Sequence, residues 1–469
     1  MTQVPILSGI YADTTPGART SYPVNFVAVP KENGVSQGFL RPGDGLSEWA
    51  ATAGICRGMI VWNGVLYAVI GTNLCSVASN GAQTVIGSVG TDDAPVSLDY
   101  GFDDLAIASA GDLWLYNPTA GLRQNTDPDL GQVNDVLWVD GYFMTTDGEF
   151  LVVTELGDPL AVNPLKYGSS EADPDPIVAI LKLRNEVVAL NRNTIEFFDN
   201  VGGDLFPFSR IESAQIEKGC IGKDACCIYS EAVAFLGSGF NEQPAVYIGN
   251  NGNAVKISTH EVDMLLEAYT EAQLSSVVLE TRNEGSHVYL YMHLPDRTLV
   301  YDGGASADMQ VPVWTVLTTA LVGFGQYRAQ HFCYAYNAWR CADPLGNRLG
   351  YLRRDISSHY GEVVRWEFGT MIVYAAGVGA IFNRLELVAM TGSVALGATP
   401  AISTSYSVDG LSWSTERTVS LGSIGDTSKR LVWLRQGRMQ DRRIQRFRGT
   451  SDAHAAFMRL EVQLEPLTW

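Results

Sequence analysis

Short runs of alternating apolar and polar residues, separated by Gly, Asn and Asp turns, dominate the chain from Cys56 onward. A run over residues 59–62 is followed by the turn Asn63-Gly64 and a second run over residues 65–70, which is the pattern of a β-hairpin. Two further runs bring the total to four predicted antiparallel strands within about 35 residues. The pattern therefore predicts a body built from hairpins and short sheets.

The turns recur at intervals of about 40 residues, which is the spacing of four-stranded β-propeller blades. Their centres lie near Asn63-Gly64, Asp103-Asp104, Asp140-Gly141, Arg184-Asn185, Ser230-Glu231 and Glu284-Gly285. We therefore predict a β-propeller of about six blades over residues 51–320. A series of β-sandwiches would give similar strand spacing and remains an alternative.

One short helix is predicted inside this β region. Residues 258–261 read as a capping box, and the apolar residues that follow have the i, i+3, i+4, i+7 spacing of one helical stripe. These apolar residues are Val262, Leu265, Leu266 and Tyr269. The sequence thus predicts a helix docked on a meander of strands.

The two ends of the chain differ from this body. Residues 1–50 are interrupted by Pro and Gly, which predicts an extended N-terminal arm that packs on the body or on a neighbouring subunit. Residues 321–362 continue as a connecting β segment. Residues 363–469 consist of short alternating strands with Gly and Ser turns, which predicts a separate C-terminal β-sandwich. The overall prediction is an all-β chain.

The bulk charge limits the ligands that the surface can bind tightly. The formal net charge is −19, which argues against phosphate binding over the whole surface. No run approaches the roughly 18 apolar residues of a membrane helix, and no signal peptide is recognised, so no membrane insertion is expected. The seven Cys are scattered, odd in number and without a CxxC pair, so we expect buried reduced thiols.

The charge inverts within the predicted sandwich, where eight basic residues fall between positions 429 and 448. Arginines alternate in the segment 442–448, so a strand here would carry arginine along one face. A solvated edge strand protected by charge is one interpretation, and a docking strip for an acidic partner is the other. The candidate interface residues are Arg430, Arg435, Arg438, Arg442, Arg443, Arg446 and Arg448.

Motifs for enzyme chemistry are missing from the sequence. It contains no GxSxG, HExxH or Walker loop, and His287 and His293 could share a strand face but do not by themselves make a catalytic metal site. The segment 407–413 is similar to the Asp-box turn of sialidase-like propellers, which is a structural turn. We therefore predict no catalytic residues, no cofactor and no metal. A propeller enzyme or a carbohydrate-binding module stays open as the alternative, because such sites assemble from distant loops.

A co-linear series of segments resembles the tail hub, or nozzle, proteins of short-tailed bacteriophages, also called packaged-DNA stabilisation proteins. The segments with this likeness are residues 23–25, 30–32, 38–41, 170–177, 194–198, 206–211, 217–220, 257–262, 269–270, 294–295, 299–302, 314, 355–361 and 433–438. The likeness covers most of the chain, in order, and is weakest over residues 51–155.

The resemblance implies a structural protein of the virion tail, made in the host cytoplasm, and not an enzyme. It implies a homohexameric ring below the portal and adaptor that retains packaged DNA and channels it during ejection. The expected partners are further copies of the chain, the head-to-tail adaptor and portal proteins, and tail spikes or fibres. Double-stranded DNA would pass through the lumen without sequence-specific binding, along a wall that we expect to be lined mainly by acidic and small polar side chains.

Overall fold

The computed structural model describes residues 2–10, 23–30, 38–90, 92–170, 173–374, 378–394 and 398–467. Parts of two segments in the family resemblance, residues 31–32 and 171–172, lie outside these ranges. Antiparallel strands make up nearly all of the regular structure. The prediction of an all-β chain with a propeller followed by a β-sandwich is confirmed.

The first four strands fall in the region predicted as an extended arm. They are β1 (Thr2–Val4), β2 (Phe26–Val29), β3 (Phe39–Pro42) and β4 (Gly45–Ala51). The first three pair within a sheet of the C-terminal domain, and β4 pairs within the propeller. The described part of this segment is therefore integral to both domains of its own chain.

Blades 1 to 4 follow in chain order, each with four strands. Blade 1 contains β5 (Cys56–Trp62), β6 (Val65–Ile70), β7 (Asn73–Val77) and β8 (Gln83–Ser88). Blade 2 contains β9 (Ser97–Tyr100), β10 (Leu105–Ser109), β11 (Asp112–Asn117) and β12 (Gly121–Gln124). Blade 3 contains β13 (Asp135–Val139), β14 (Tyr142–Thr146), β15 (Phe150–Glu155) and β16 (Asp158–Ser169). Blade 4 contains β17 (Ile177–Leu183), β18 (Glu186–Asn191), β19 (Ile195–Asn200) and β20 (Phe208–Arg210), followed by a 3-10 turn at Glu212–Ala214.

Blades 5 and 6 carry the helices. Blade 5 contains β21 (Gly219–Cys220), β22 (Cys226–Tyr229), β23 (Ala232–Ser238), β24 (Ala245–Asn250) and β25 (Asn253–Lys256). The helices α1 (His260–Leu266) and α2 (Glu271–Leu274) lead to blade 6. Blade 6 contains β26 (Val278–Glu284), β27 (His287–His293), β28 (Thr298–Asp302) and β29 (Trp314–Leu317), with α3 (Gly303–Met309) before its last strand.

A seventh blade closes the ring, one more than the six or so that the turn spacing suggested. It contains β30 (Gln330–Ala335), β31 (Ala338–Ala342) and β32 (Arg348–Arg353), with β4 as the fourth strand. Residues 321–362, expected as a connecting segment, thus supply three strands of a blade. The count fell short because the fourth strand comes from the other end of the chain, which turn spacing cannot reveal. The innermost strands pack side by side around the ring, β30 beside β5 included.

Helix α1 buries the predicted apolar stripe, with Val262 and Leu266 in the core and Leu265 and Tyr269 packed against it. Its predicted capping box does not form, because the hydroxyl of Ser258 donates to the Asp263 carboxylate at 2.6 Å instead. A capping box occurs instead at the start of the next helix, α2, between Thr270 and Gln273. Three short α-helices occur among the described residues, where the sequence predicted one.

The C-terminal domain is a sandwich of two sheets. One contains β1, β2 and β3 with β35 (Ala380–Met390), β38 (Leu431–Leu434), β39 (Arg438–Met439) and β41 (Ala456–Pro466). The other contains β33 (Arg365–Gly369), β34 (Val373–Tyr374), β36 (Ala401–Ser407), β37 (Arg417–Ser420) and β40 (Arg442–Thr450). Phe26 of β2 is fully buried between them and meets Trp366, Phe368 and Phe457 edge-on.

Candidate functional site

The arginine-rich segment forms a central strand and not an edge strand. The strand β40 pairs with β33 and β34 on one side and with β36 on the other. Its backbone donors and acceptors are therefore used within the sheet, and the interpretation as a charged free edge is wrong. The alternation has another cause, since Phe447 faces the sandwich core while Arg446 and Arg448 lie on the opposite face.

Arg443 is enclosed by its own chain, with only 1% of its surface exposed. Its guanidinium lies over the rings of Phe382 and Tyr406 and donates to Gln445 Oε1 at 2.9 Å and to the Gln436 carbonyl at 2.7 Å. Burial lowers the pKa of Arg443 to about 10. A side chain this buried cannot contact a partner, so it does not belong to an interface strip.

Three further predicted arginines have partners within the chain. Arg430 donates to both carboxylate oxygens of Glu386, at 2.7 and 2.8 Å. Arg446 lies over the ring of Trp413, and Arg448 donates to Glu416 at 2.8 Å. Exposed ion pairs such as these hold the side chains loosely and add little stability. Neighbouring side chains of the same chain therefore compensate much of the positive charge of these arginines.

A smaller exposed group remains at the turn after β38. Arg435 and Arg438 are exposed, and Leu434 beside them is 61% exposed. The backbone carbonyls of Leu434 and Arg435 accept hydrogen bonds from Arg417 Nη1, which brings a third arginine to the same place. Arg443 lies close to this group, since it donates to the carbonyl of Gln436 beside Arg435, but it is buried and does not share the exposed surface. Sequence reasoning missed Leu434 and Arg417, because only the pairing of the sheets places them side by side.

Exposed apolar residues occur on the propeller at the turns of blades 2 and 3. Phe102, in the turn between β9 and β10, is 85% exposed and packs edge-on against Trp138 with ring centroids 5.3 Å apart. Leu156, in the turn between β15 and β16, is 63% exposed. Together with Trp138 they line a cleft of about 190 Å³. The sequence pattern does not reveal this cleft, because its residues belong to two blades.

The centre of the propeller holds a polar cavity of about 520 Å³. Asp99, Asp135, Asp224 and Glu280 line it together with Lys182 and Lys223. Its volume falls within the range of small-molecule pockets, roughly 300–1,000 Å³, so it is not a passage for a DNA duplex. A lumen for DNA would have to lie between subunits.

Burial shifts the ionisation of the carboxylates in this cavity. It raises the pKa of Glu280 to about 7, although the carboxylate accepts hydrogen bonds from the backbone amides of His331 and Phe332 at 2.8 and 2.7 Å. Burial likewise raises the pKa of Asp224 to about 6, against the opposing charge of Lys223. Glu280 therefore joins blades 6 and 7 through hydrogen bonds whose strength depends on its charge.

Two sequence features considered for enzyme or metal chemistry, the histidines of β27 and the Asp-box-like segment, have partners within the described part of the chain. No group of three or more His, Cys, Asp or Glu in the described ranges could hold a metal ion. His287 and His293 do share one face of β27, but each is buried and bonded, to Asp302 and Thr298 respectively. Asp409 accepts hydrogen bonds from the backbone amides of Leu411 and Ser412, so the Asp-box-like segment is a structural turn.

The remaining sequence-based expectations concern the thiols and the membrane. All seven cysteines are free, and burial raises the pKa of Cys341 and Cys56 to about 12, which makes both thiols poor nucleophiles. No helix among the described residues is long and apolar enough to cross a membrane.

The chain matches known proteins over both domains. The family described as "Bacteriophage P22 Gp10, beta-propeller" matches residues 2–357, and the family described as "Bacteriophage P22 Gp10, beta-sandwich" matches residues 365–465. A curated relative, the tail hub protein gp10 of Salmonella phage P22, is 29% identical over 456 residues, which are 93% of this chain and 94% of that protein.

Two solved structures show a weak likeness to part of this chain. PorZ of the type-IX secretion system of Porphyromonas gingivalis is 13% identical with a TM-score of 0.41, over 66% of this chain and 39% of that one. The Pan2 WD40 domain of Neurospora crassa is 9% identical with a TM-score of 0.43, over 66% and 95% of the two chains. Neither likeness bears on function.

Proposed function

We propose that this chain, which belongs to the bacteriophage P22 Gp10 family, is a structural subunit of a phage tail hub. The observation that carries the proposal is the match of both family domains, in order, to residues 2–357 and 365–465. A match to one propeller alone would be weak evidence, because propellers serve many unrelated functions. The sandwich and the N-terminal strands that join it to the propeller make the likeness specific.

The hub forms a homohexameric ring in the tail, below the portal and adaptor, and serves as the exit for the packaged DNA. The protein is made in the host cytoplasm, joins the adaptor, and carries tail spikes or fibres. A ring-forming conduit needs a subunit that does not deform under load, and a closed propeller suits this because its blades pack on one another in a circle. The absence of enzyme motifs from the sequence agrees with a structural role.

DNA passes through the ring without sequence-specific binding. Each phosphate contact that a wall makes adds to the affinity and slows release, so a fast exit needs a wall with few free cations. The net charge of −19 and the internal pairing of Arg430, Arg443 and Arg448 support this. The isolated chain should therefore bind duplex DNA weakly at 50 mM salt, with replacement of the exposed or partly exposed Arg435, Arg438 and Arg442 by Ser changing little. Tight, salt-sensitive binding that this triple variant abolishes would contradict the acidic wall.

The tail-hub role is tested by removing the chain from the particle. Heads filled by a phage whose gene for this chain carries an early amber codon, grown in a non-suppressing host, should lose their DNA during purification, because the exit is open. Particles from a suppressing host provide the control, since they differ only in this protein. DNA content measured by sedimentation and by nuclease sensitivity decides the outcome. Particles that retain full DNA and eject normally without the chain would overturn the proposal.

A further inference from the structure

We propose that the exposed Leu434 group of one copy docks in the Phe102 cleft of the next copy, and that this contact closes the ring. The inference rests on the proposed function, which requires several copies of one chain. The Leu434 group is Leu434 with Arg417, Arg435 and Arg438. The Phe102 cleft is the space between Phe102, Trp138 and Leu156 with the carboxylates at its rim.

The cleft combines an apolar centre with an acidic rim. Phe102 is 85% exposed, so most of this large aromatic side chain stays in water although its edge packs on Trp138. Asp103 is exposed beside it, and Asp140 and Asp158 are exposed in the two turns of blade 3 that flank the cleft. Of the nearby cations, Arg123 is engaged by Asp104, and Lys182 lies over the Trp138 ring. The cleft therefore favours an apolar side chain surrounded by positive charge.

The Leu434 group has that chemistry. Leu434 ends β38, which is the outermost strand of its sheet, and its side chain is 61% exposed. Arg417 is held against it by hydrogen bonds to the carbonyls of Leu434 and Arg435 at 3.1 and 2.8 Å. These bonds fix one cation beside the leucine, and Arg435 and Arg438 are exposed within four residues of it. Arginine is among the residues enriched at the energetic centre of interfaces, and the exposed leucine supplies apolar area that docking would bury.

The two surfaces lie on different domains of the subunit. The sandwich is attached to the propeller at blade 6. The residues just before β2, Pro23 to Asn25, form backbone hydrogen bonds with β29 of blade 6 and with β33 of the sandwich. In a ring of seven blades, blades 2 and 3 are each three steps from blade 6, which is the greatest separation that the ring allows. Two different, complementary surfaces, one on the sandwich and one on blades 2 and 3, give a head-to-tail contact. Repetition of such a contact forms a closed ring when the rotation closes.

Cross-linking in assembled particles tests the contact directly. We would introduce Phe102→Cys and Leu434→Cys together and treat purified particles with a short bis-maleimide. Adjacent copies should then be joined into a ladder of multiples of the chain on a denaturing gel, while either single variant gives no ladder. The wild-type chain controls for its own seven cysteines. A double variant that is incorporated at the wild-type level but yields only the single chain would overturn the contact.

Charge exchange provides a second, independent test. Asp103→Arg and Arg435→Asp should each lower incorporation into tails when the variant competes with wild type, by about ten-fold if one interface contact of this strength is lost. The combination of the two should restore incorporation, because position 103 is then positive and position 435 negative, so that the two side chains attract each other again. Phe240→Ser and Leu345→Ser are matched controls for Phe102→Ser and Leu434→Ser, because these side chains are 59% and 60% exposed elsewhere on the propeller.

The outcomes separate the inference from the proposed function. Loss of incorporation with Phe102→Ser and Leu434→Ser, but not with the two controls, supports the contact. Equal behaviour of all four variants, with the chain still present as a ring in the tail, overturns the contact alone. A particle whose tail lacks the wild-type chain overturns both the contact and the tail-hub role.

Discussion

The carboxylate of Asp44 lies 2.7 Å from the Nη2 atom of Arg282, and less than a twentieth of either side chain is exposed. Asp44 belongs to the link between the sandwich strand β3 and the closing strand β4, whereas Arg282 lies on β26 of blade 6. Arg41 approaches the other oxygen of Asp44 at 3.0 Å. One buried carboxylate thus joins the N-terminal segment, the sixth blade and the strand that completes the seventh.

Replacement of Asp44 by Asn should destabilise the fold by about 3–5 kcal/mol, because it removes the buried carboxylate that Arg41 and Arg282 share and leaves Glu284 as the remaining counter-charge of Arg282. Equilibrium unfolding in urea measures the change. The matched control is Asp355→Asn, which removes an exposed partner of Arg353 and should cost no more than about 1 kcal/mol. Equal stability of the two variants would show that the buried pair contributes nothing to the junction.

The stability that Asp44 contributes should depend on pH in a defined direction. Burial alone would raise its pKa, but Arg282 and Arg41 hold the pKa below its usual value. A carboxylate with a lowered folded pKa contributes stability above its unfolded pKa, about 3.9, and loses that contribution as the pH falls through the folded pKa. The difference between wild type and Asp44→Asn should therefore be full at pH 6 and shrink below about pH 4. A difference that grows on acidification would contradict this.

Glu280 should show the opposite pH dependence. Its folded pKa of about 7 lies above the unfolded value, so the folded state holds the proton more tightly. This contribution is fully present below about pH 4.3 and is lost as the pH rises through about 7, on the order of 3–4 kcal/mol in total. Glu280→Gln keeps an oxygen acceptor for the amides of His331 and Phe332 but removes the titrating carboxyl group. The free energy of unfolding should therefore change less between pH 5 and 8 in this variant than in the wild type. An unchanged slope in that variant would rule out Glu280 as its source.

The contrast between Arg442 and Arg443 tests the reassignment of the arginine strip. Arg443→Ala should destabilise the chain by about 2–4 kcal/mol, since it removes a ring contact and leaves the Gln436 carbonyl and the Gln445 side chain without a donor. Arg442→Ala removes a partly exposed side chain one position away and should change stability by about 0.5 kcal/mol or less. Thermal unfolding of the two variants decides the matter. An Arg443→Ala variant as stable as the wild type would contradict the buried, hydrogen-bonded position assigned to this residue.

The general architecture could be predicted because it rests on local patterns. Hairpin turns such as Asn63-Gly64 and strands with period two are written into neighbouring residues, so blades and sandwich were recognisable. The seventh blade was not, because Gly45–Ala51 pairs with Arg348–Arg353 across some 300 residues of chain. The sequence of either segment alone does not indicate which strand it pairs with. Long-range strand pairing is the part of a β fold that periodicity leaves open.

The candidate site shows the same limit. The arginine alternation was real, but sequence could not tell that β40 lies in the middle of a sheet or that Arg443 faces Phe382 and Tyr406. Likewise, the sequence could not tell whether the N-terminal arm packs on the body of its own chain or on a neighbouring subunit. Phe26 and Asn25 resolve it for the described part of the arm. Asn25 donates to the carbonyls of Thr318 and Arg365, which joins propeller to sandwich within one chain.

The closing strand should be as important to the propeller as any strand of the continuous blades. Leu46→Ala in β4 creates a cavity at a fully buried position between blades 6 and 7, which should cost about 2–5 kcal/mol. Glu48→Ala, two residues away and exposed, is the control and should cost about 0.5 kcal/mol or less. Hydrogen exchange should show faster exchange in both flanking blades for Leu46→Ala. Exchange confined to β4 would mean that the ring is stable without its closure.

The central claim is that this chain is the ring-forming subunit of a phage tail hub, and one reconstruction tests it most directly. Electron cryo-microscopy of the particle that carries the chain should show six copies of a seven-bladed propeller with an attached sandwich, arranged around the tail axis below the adaptor. The lumen should run between the copies, with net negative charge on its wall, and not through the propeller centres. A tail without this density, or a single copy placed away from the axis, would contradict the account.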